Sequence, residues 1–471
     1  MEQFSTEGLW WLPEHPGRRI PGTLSLNTDG LQLLLYQSLR ESASREHGSS
    51  NDWAWTVAPV MFGVTRAHED VTLFQTGGIS TPGPFDTVQE DYRVGAALFG
   101  VHTLTDTFLE ARVEFDWLGP WLCPPGLVDD NDGATISVQW GWRDLAAATI
   151  DDDPVSVRYG GRGTAGTHQV NVERCAHFRV TFATPRSHRN IVEGRIRPIQ
   201  DLLTIAIGRP VRLTSLHLRP AGSVDDLGRE FGELRLDILQ AETFGSASFS
   251  DRIASLLNYS APTLVMGNDP NVPLDRLIPA WFKTWEANRN LIGLLLGRYY
   301  APFMYTAHRY SSAFQAVEAL HGRPAFSGRE LDRSAHSDRV SAVVRATAAH
   351  GLDPDTIGWV QRVLQSRNDK PLWRKVEDVT RSLGQAGEAI LRTVPSFSMV
   401  AAALRAEVSH PTSDAANRRR MHWYGEVLHW IARGRLLASA GVPEIGQRIH
   451  DRAAFRHAVA QLRSATDQQE P

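Results

Sequence analysis

The chain has 471 residues, enough for two or three domains each with its own core, and its composition is 42% hydrophobic and 22% charged, ordinary for a globular protein. Only Cys123 and Cys175 are present, which excludes a cysteine metal knuckle and allows at most one disulfide, so the core must hold the fold. The longest apolar stretches, such as Leu291 to Leu296, fall far short of the roughly 20 residues that cross a bilayer. The start, Met1 to Pro16, is acidic and Trp-rich with no basic-then-apolar leader, so a soluble, cytoplasmic protein in a reducing compartment is expected. The net charge of −4 hides an asymmetry. From Pro273 to the C-terminus there are 27 Lys and Arg against 19 Asp and Glu, +8, which leaves −12 for residues 1–272. A basic C-terminal part suits a polyanion such as RNA, although the Arg-for-Lys usage, with Lys only at 283, 370 and 375, also fits a genome-wide bias.

From Pro21 to about Gln240, short alternating runs are broken by Gly, Pro, Asp and Asn: Thr23–Leu26, Leu31–Leu35, Val57–Val64, Phe108–Trp117, Thr135–Trp142 and His177–Phe182. Period-two runs between turn signals predict an antiparallel, sandwich-like β domain over residues 1–272, with one helix over Ile199–Ile207. Asn268-Asp269-Pro270-Asn271-Val272-Pro273 is turn chemistry and marks the boundary to a second domain, 273–471.

There the period becomes 3.6. Phe303, Ala307, Tyr310, Phe314 and Val317 recur at three- and four-residue steps, predicting a helix with one apolar face. Asp353-Pro354 reads as an N-cap with proline at the first helical position. Ser396 opens a helix carrying Phe397, Val400, Leu404 and Val408 that stops before Pro411. Met421, Tyr424, Leu428 and Ile431 stripe the next helix, which Gly441 and Pro443 end. The fold class expected is therefore α+β multidomain, an antiparallel β part followed by an all-α part.

An Arg and a His four to six residues apart can cut RNA without a metal. The imidazole moves protons near neutral pH, and the guanidinium holds a phosphate as charge builds on it. Seven pairs have that spacing: Arg40/His47, Arg162/His168, Arg212/His217, Arg329/His336, Arg345/His350, Arg405/His410 and Arg452/His457. Arg405/His410 stands apart because His410 falls where a helix gives way to proline. The partial negative charge of the helix end favours an imidazolium there. A surface Arg beside a capping His fits the same positions.

Gly8-Leu9-Trp10-Trp11-Leu12-Pro13, then Pro21-Gly22-Thr23-Leu24 and Gly30, and later Pro198 to Ala206, together with Arg309–His321 and Arg405–His410 before the helix Arg418–Leu437, resemble the ApeA-like HEPN proteins. These are bacterial anti-phage proteins with a C-terminal HEPN helical bundle, and the resemblance runs over nearly the whole chain. It implies an endoribonuclease acting as a homodimer through the helical domain, with no cofactor or metal. His410 would be general base or acid and Arg405 the phosphoryl ligand, giving a 2′,3′-cyclic phosphate from RNA. A phage-derived trigger acting on a sensing β domain also follows from the resemblance. The chain departs from the family at Ala406, where a polar residue commonly follows the motif Arg. That departure leaves a second reading: a degraded HEPN module for dimerisation or RNA binding, with a β domain that senses a ligand or phage component.

Glu318, at the edge of its apolar stripe, can orient Arg405 or simply pair with a surface Arg. Arg418, Arg419 and Arg420 can contact RNA phosphates or face water. His422, Glu426 and His429 have metal-ligand spacing on one helix face, a pattern that a polar stripe produces as well. Trp10, Trp11, Trp53, Trp55, Trp117, Trp121, Trp140 and Trp142 can form a stacking platform for sugars or bases or fill a core.

Overall fold

The computed structural model describes residues 4–27, 30–39, 55–82, 88–122, 130–131, 136–137, 142–165, 170–221, 231–236, 262–301, 303–322, 326–409 and 415–467. The order is the expected one, an antiparallel β region followed by an all-helical region.

The strands are β1 (Phe4–Trp11), β2 (Ile20–Asn27), β3 (Gly30–Leu35), β4 (Trp55–Thr65), β5 (Asp70–Pro82), β6 (Val88–Phe99) and β7 (Thr107–Phe115). After them come β8 (Asp130–Asn131), β9 (Ile136–Ser137), β10 (Arg143–Ile150), β11 (Asp153–Ala165), β12 (Val170–Ser187), β13 (Leu213–Pro220) and β14 (Gly232–Leu236). Six of them close on themselves in the order β1-β2-β3-β6-β5-β4, because β5 pairs with both β4 and β6. The closing β1–β4 pairing, Gly8–Trp11 against Phe62–Thr65, leaves no strand of that ring with a wholly free edge. β6 makes the extension possible: Glu90–Arg93 pair with β3, whereas Ala96–Phe99 pair with β14 on the same edge. From β14 the sheet runs through β13, β7, β12 and β11 to β10.

Alternation sets which side chains fill the ring. Leu24, Leu26, Leu31, Leu33, Leu35, Met61, Leu73 and Val94 are all buried in one cluster with Trp10 and Tyr92. Each such side chain contributes roughly 1.5–3 kcal/mol by leaving water. Trp10 lies over Gly63, where a Cβ would come within 2.1 Å of the indole, and its Nε1 donates to the Gly22 carbonyl at 3.3 Å. The double-Trp segment and the Pro21-Gly22 segment thus meet inside the ring. Beyond β7, a short helix α1 (Leu118–Leu122) buries Trp121, whose Nε1 donates to the Val265 carbonyl at 2.7 Å. After β12, α2 (His188–Ile191) runs through a π-helical turn, Val192–Ile196, into α3 (Arg197–Ile207), the helix expected over 199–207. Arg195 in that turn donates through Nε and Nη2 to the fully buried Asp153, fixing the entry to α3.

The helices that follow are α4 (Leu274–Tyr300), α5 (Thr306–His321), α6 (Arg333–Ala349), α7 (Pro354–Gln365) and α8 (Leu372–Arg381). Then come α9 (Gln385–Thr393), α10 (Phe397–Ser409), α11 (Ala415–Ser439), α12 (Ile445–His450) and α13 (Ala453–Asp467). Asp353 caps α7 as its Asp-Pro signal requires, accepting from the Thr356 amide at 2.9 Å. On α5, Tyr310, Phe314 and Val317 are buried, but Phe303 is 95% exposed. The helix starts only at Thr306, so the periodic pattern extended one turn too far toward the N-terminus. Tyr424, Leu428 and Ile431 form the fully buried stripe of α11, and Gly441 follows it at φ +85°.

The described residues divide into two compact units. One runs to Thr204, resumes at Pro210 and includes Val265–Phe282; the other takes Ile205–Arg209, the segment ending at Leu264, and everything from Lys283.

Candidate functional site

α10 carries Arg405. The helix starts directly after Ser396, whose carbonyl accepts the Val400 amide, and buries Phe397, Ala401 and Leu404. Phe397 stacks on Tyr424 of α11 with the rings 5.4 Å apart and 3° from parallel. Tyr310 of α5 donates its hydroxyl to the Ala401 carbonyl, so α10 is held from both neighbours. Arg405 follows Ala401 by one turn and is half-buried. Burial pushes the Tyr310 phenol well above its usual range, Tyr424 adds to that, and the positive charge of Arg405 works against it. Glu407, two positions on, is also half-buried, and its Oε2 is buried without a hydrogen-bond partner among the described residues.

His410 and Pro411 lie outside the described residues, and Ala406 is exposed. The structure therefore gives the setting of Arg405 without that of its proposed partner. Glu318 sits half-buried on the flank of the α5 stripe, two turns beyond Tyr310. Arg418 and Arg419 are exposed near the start of α11, and Arg420 is half-buried.

The polar residues further along α11 have definite partners. Glu426 accepts from Arg298 Nη2 of α4 at 2.7 Å, and Tyr299 Oη and His429 Nε2 are 2.8 Å apart. His422, Glu426 and His429 are accordingly committed to organic partners or to a pocket wall, and among the described residues no group of three or more His, Cys, Asp or Glu side chains is placed to hold a metal. Arg298, Tyr299 and Arg433, which share this pocket, carried no separate signal in the sequence: they are scattered polar residues within apolar helical runs.

The tryptophans of the β region whose side chains are described are mostly structural. Trp10, Trp11, Trp117 and Trp121 are buried, while Trp142 is 37% exposed and packs on His177. Trp53 and Trp140 lie outside the described residues, as does the side chain of Trp55. Cys175 is buried; Cys123 is outside the described residues. Among the described residues no helix is long and apolar enough to cross a membrane.

A closed six-stranded ring extended through β6, with Trp10 packed on Gly63 and bonded to Gly22, is the geometry built by the N-terminal motifs. Residues 5–236 match the family model ApeA N-terminal domain 1. That match makes residues 5–236 similar to the ApeA N-terminal domain 1 family. It takes in the double-Trp segment, the Pro21-Gly22 segment and the whole of α3, and it ends well before Arg405. No curated protein matches the chain.

Proposed function

We propose that this chain is an anti-phage defence protein of the ApeA type whose helical region cleaves RNA. The observation that carries the reading is the ApeA N-terminal domain 1 match over residues 5–236, ahead of an all-helical region in which Arg405 stands near the end of α10. On this reading the helical region is a HEPN domain, and two copies pair so that an Arg405/His410 set from each subunit lines one cleft.

His410 takes the proton of a ribose 2′-hydroxyl, and the 2′ oxygen attacks the adjacent phosphorus. The bond to the 5′ oxygen breaks, and that oxygen leaves with a proton returned by an imidazole. Arg405 donates to the phosphoryl oxygens as negative charge accumulates. The products are a 2′,3′-cyclic phosphate and a 5′-hydroxyl, and DNA, which lacks the 2′-hydroxyl, is not cut. Arg418, Arg419 and Arg420 track the RNA backbone, and the β region receives a phage-derived signal. Glu318 supports the site from α5.

Ala406, which stands where the family carries a polar residue, leaves a second reading, in which the same helices bind RNA or dimerise without cutting. Incubating purified full-length protein with RNA and a chelator, then analysing the ends formed, separates the two. Cyclic phosphate ends support the nuclease, and tight RNA binding with no product supports the binding module.

A further inference from the structure

The helical unit bears a half-open cavity of about 360 Å3, lined by Arg298 and Tyr299 from the end of α4 and by His422, Glu426, His429 and Arg433 from α11. That volume lies at the small end of ligand sites, the size of one nucleotide. Its inner wall holds an unusual charge. Arg433 is 1% exposed, yet among the described residues its Nε and Nη2 donate to backbone carbonyls alone, those of Ile205 at 3.0 and 2.6 Å and of Pro262 at 3.0 Å. The guanidinium rests on Gly208, where a Cβ would lie 2.7 Å from both terminal nitrogens, and Gly208 has φ +77°, so the cradle is specific to glycine.

Arg298 is balanced by Glu426 at 2.7 Å, whereas Arg433 makes no carboxylate contact among the described residues. His429 is 3% exposed and lines the same cavity. Its Nε2 is bonded to Tyr299, and its Nδ1 is buried with no hydrogen-bond partner among the described residues. Burial, then Arg298 and Arg433, push the His429 imidazole well below its usual range, so it adds no charge. Two guanidiniums therefore share the single Glu426 carboxylate, and among the described residues one imidazole nitrogen is unused. A buried charge and an unpaired buried polar atom are both costly, and an anion with a hydrogen-bonding oxygen would relieve both. At the outer end, the half-buried rings of His422 and Trp423 lie edge to face at 4.7 Å and offer flat surface to a planar group.

We infer that this cavity is a binding site for a nucleoside monophosphate, with the phosphate held by Arg298, Arg433 and His429 and the base against His422 and Trp423. The site shares no residue with the Arg405/His410 pair and does not depend on RNA cleavage.

Isothermal titration calorimetry of the full-length protein with adenosine 5′-monophosphate, uridine 5′-monophosphate, adenosine and inorganic phosphate tests it. Both nucleotides should bind, adenosine should bind far more weakly, and the double variant Arg298→Gln/Glu426→Gln, which preserves local charge balance, should lower nucleotide affinity by about tenfold or more. His422→Ala should weaken the nucleotides but leave inorganic phosphate unchanged. No heat from either nucleotide at millimolar concentration, or equal affinity in the double variant with its circular dichroism unaltered, would overturn the site. Equal binding of inorganic phosphate and nucleotides would overturn the base contact.

Discussion

Tyr310 donates its hydroxyl to the carbonyl of Ala401, one helical turn before Arg405. The bond ties α5 to α10 at a point where both groups are fully buried. Tyr310→Phe leaves that carbonyl with only its helical partner and should cost about 1–2 kcal/mol in urea unfolding. The folded-state phenol pKa lies above the unfolded value of about 10, so in strong base the unfolded chain releases a proton that the folded chain keeps. Stability should therefore fall as pH rises past about 10, less steeply in the variant than in the parent. Parallel slopes would mean that Tyr310 is not the group responsible.

Glu110 of β7 is 2% exposed and receives Arg179 Nε and Nη2 at 2.8 and 2.9 Å and Arg112 Nε at 3.1 Å. Burial raises its carboxyl pKa, but the hydrogen bonds from Arg179 and Arg112 outweigh it and the net shift is downward. The stabilisation is therefore present above the unfolded carboxyl pKa of about 4.3 and disappears as pH falls through the lower folded value. Both arginines are more than a third exposed, so solvent screens part of the interaction, and Glu110→Gln should cost about 1–2 kcal/mol at neutral pH. Thermal melts at neutral and strongly acidic pH should show the gap between parent and variant closing in acid. A gap that persists unchanged there would point to lost packing.

Trp10 and Gly63 form one packing unit in the ring. Gly63→Ala places a methyl within 2.1 Å of the indole and should destabilise by about 1–3 kcal/mol. Trp10→Phe, which vacates part of that space, should make the alanine less costly in the double variant, a coupling that a double-mutant cycle reads directly. Additive effects would show that the ring relaxes elsewhere.

Such pairings explain what the sequence makes legible. Alternation in Leu31–Leu35 identifies a strand and its buried face, since side-chain direction is local. The partner of a strand is not local, and nothing in β6 announces that its two halves pair with β3 and β14. The helical order is likewise readable from caps such as Asp353 and stripes such as Tyr424–Leu428–Ile431. Phe303 fits the stripe of α5 numerically yet lies before the first helical turn. At the candidate site, the sequence singles out Arg405, and the structure adds Tyr310, Ala401 and the stacked Phe397 and Tyr424 that fix it. Arg433 was invisible because an Arg in an apolar run, with Arg435 two residues on, reads as a surface residue until the carbonyls of Ile205 and Pro262 are brought to it.

If the basic segment at the start of α11 contacts RNA, replacing Arg418, Arg419 and Arg420 together by Gln should weaken binding to all sequences alike. The slope of log affinity against log salt should drop by about 2 in magnitude, as expected for three lost phosphate contacts on a single strand. An unchanged slope measured by fluorescence anisotropy would remove these arginines from the interface.

The most direct test of the nuclease reading compares the full-length parent with His410→Ala on RNA in the presence of a chelator. The parent should release fragments ending in 2′,3′-cyclic phosphate and the variant should release none, with both proteins melting at the same temperature. Equal cleavage by the two would contradict the assignment of His410 and, with it, the proposed mechanism.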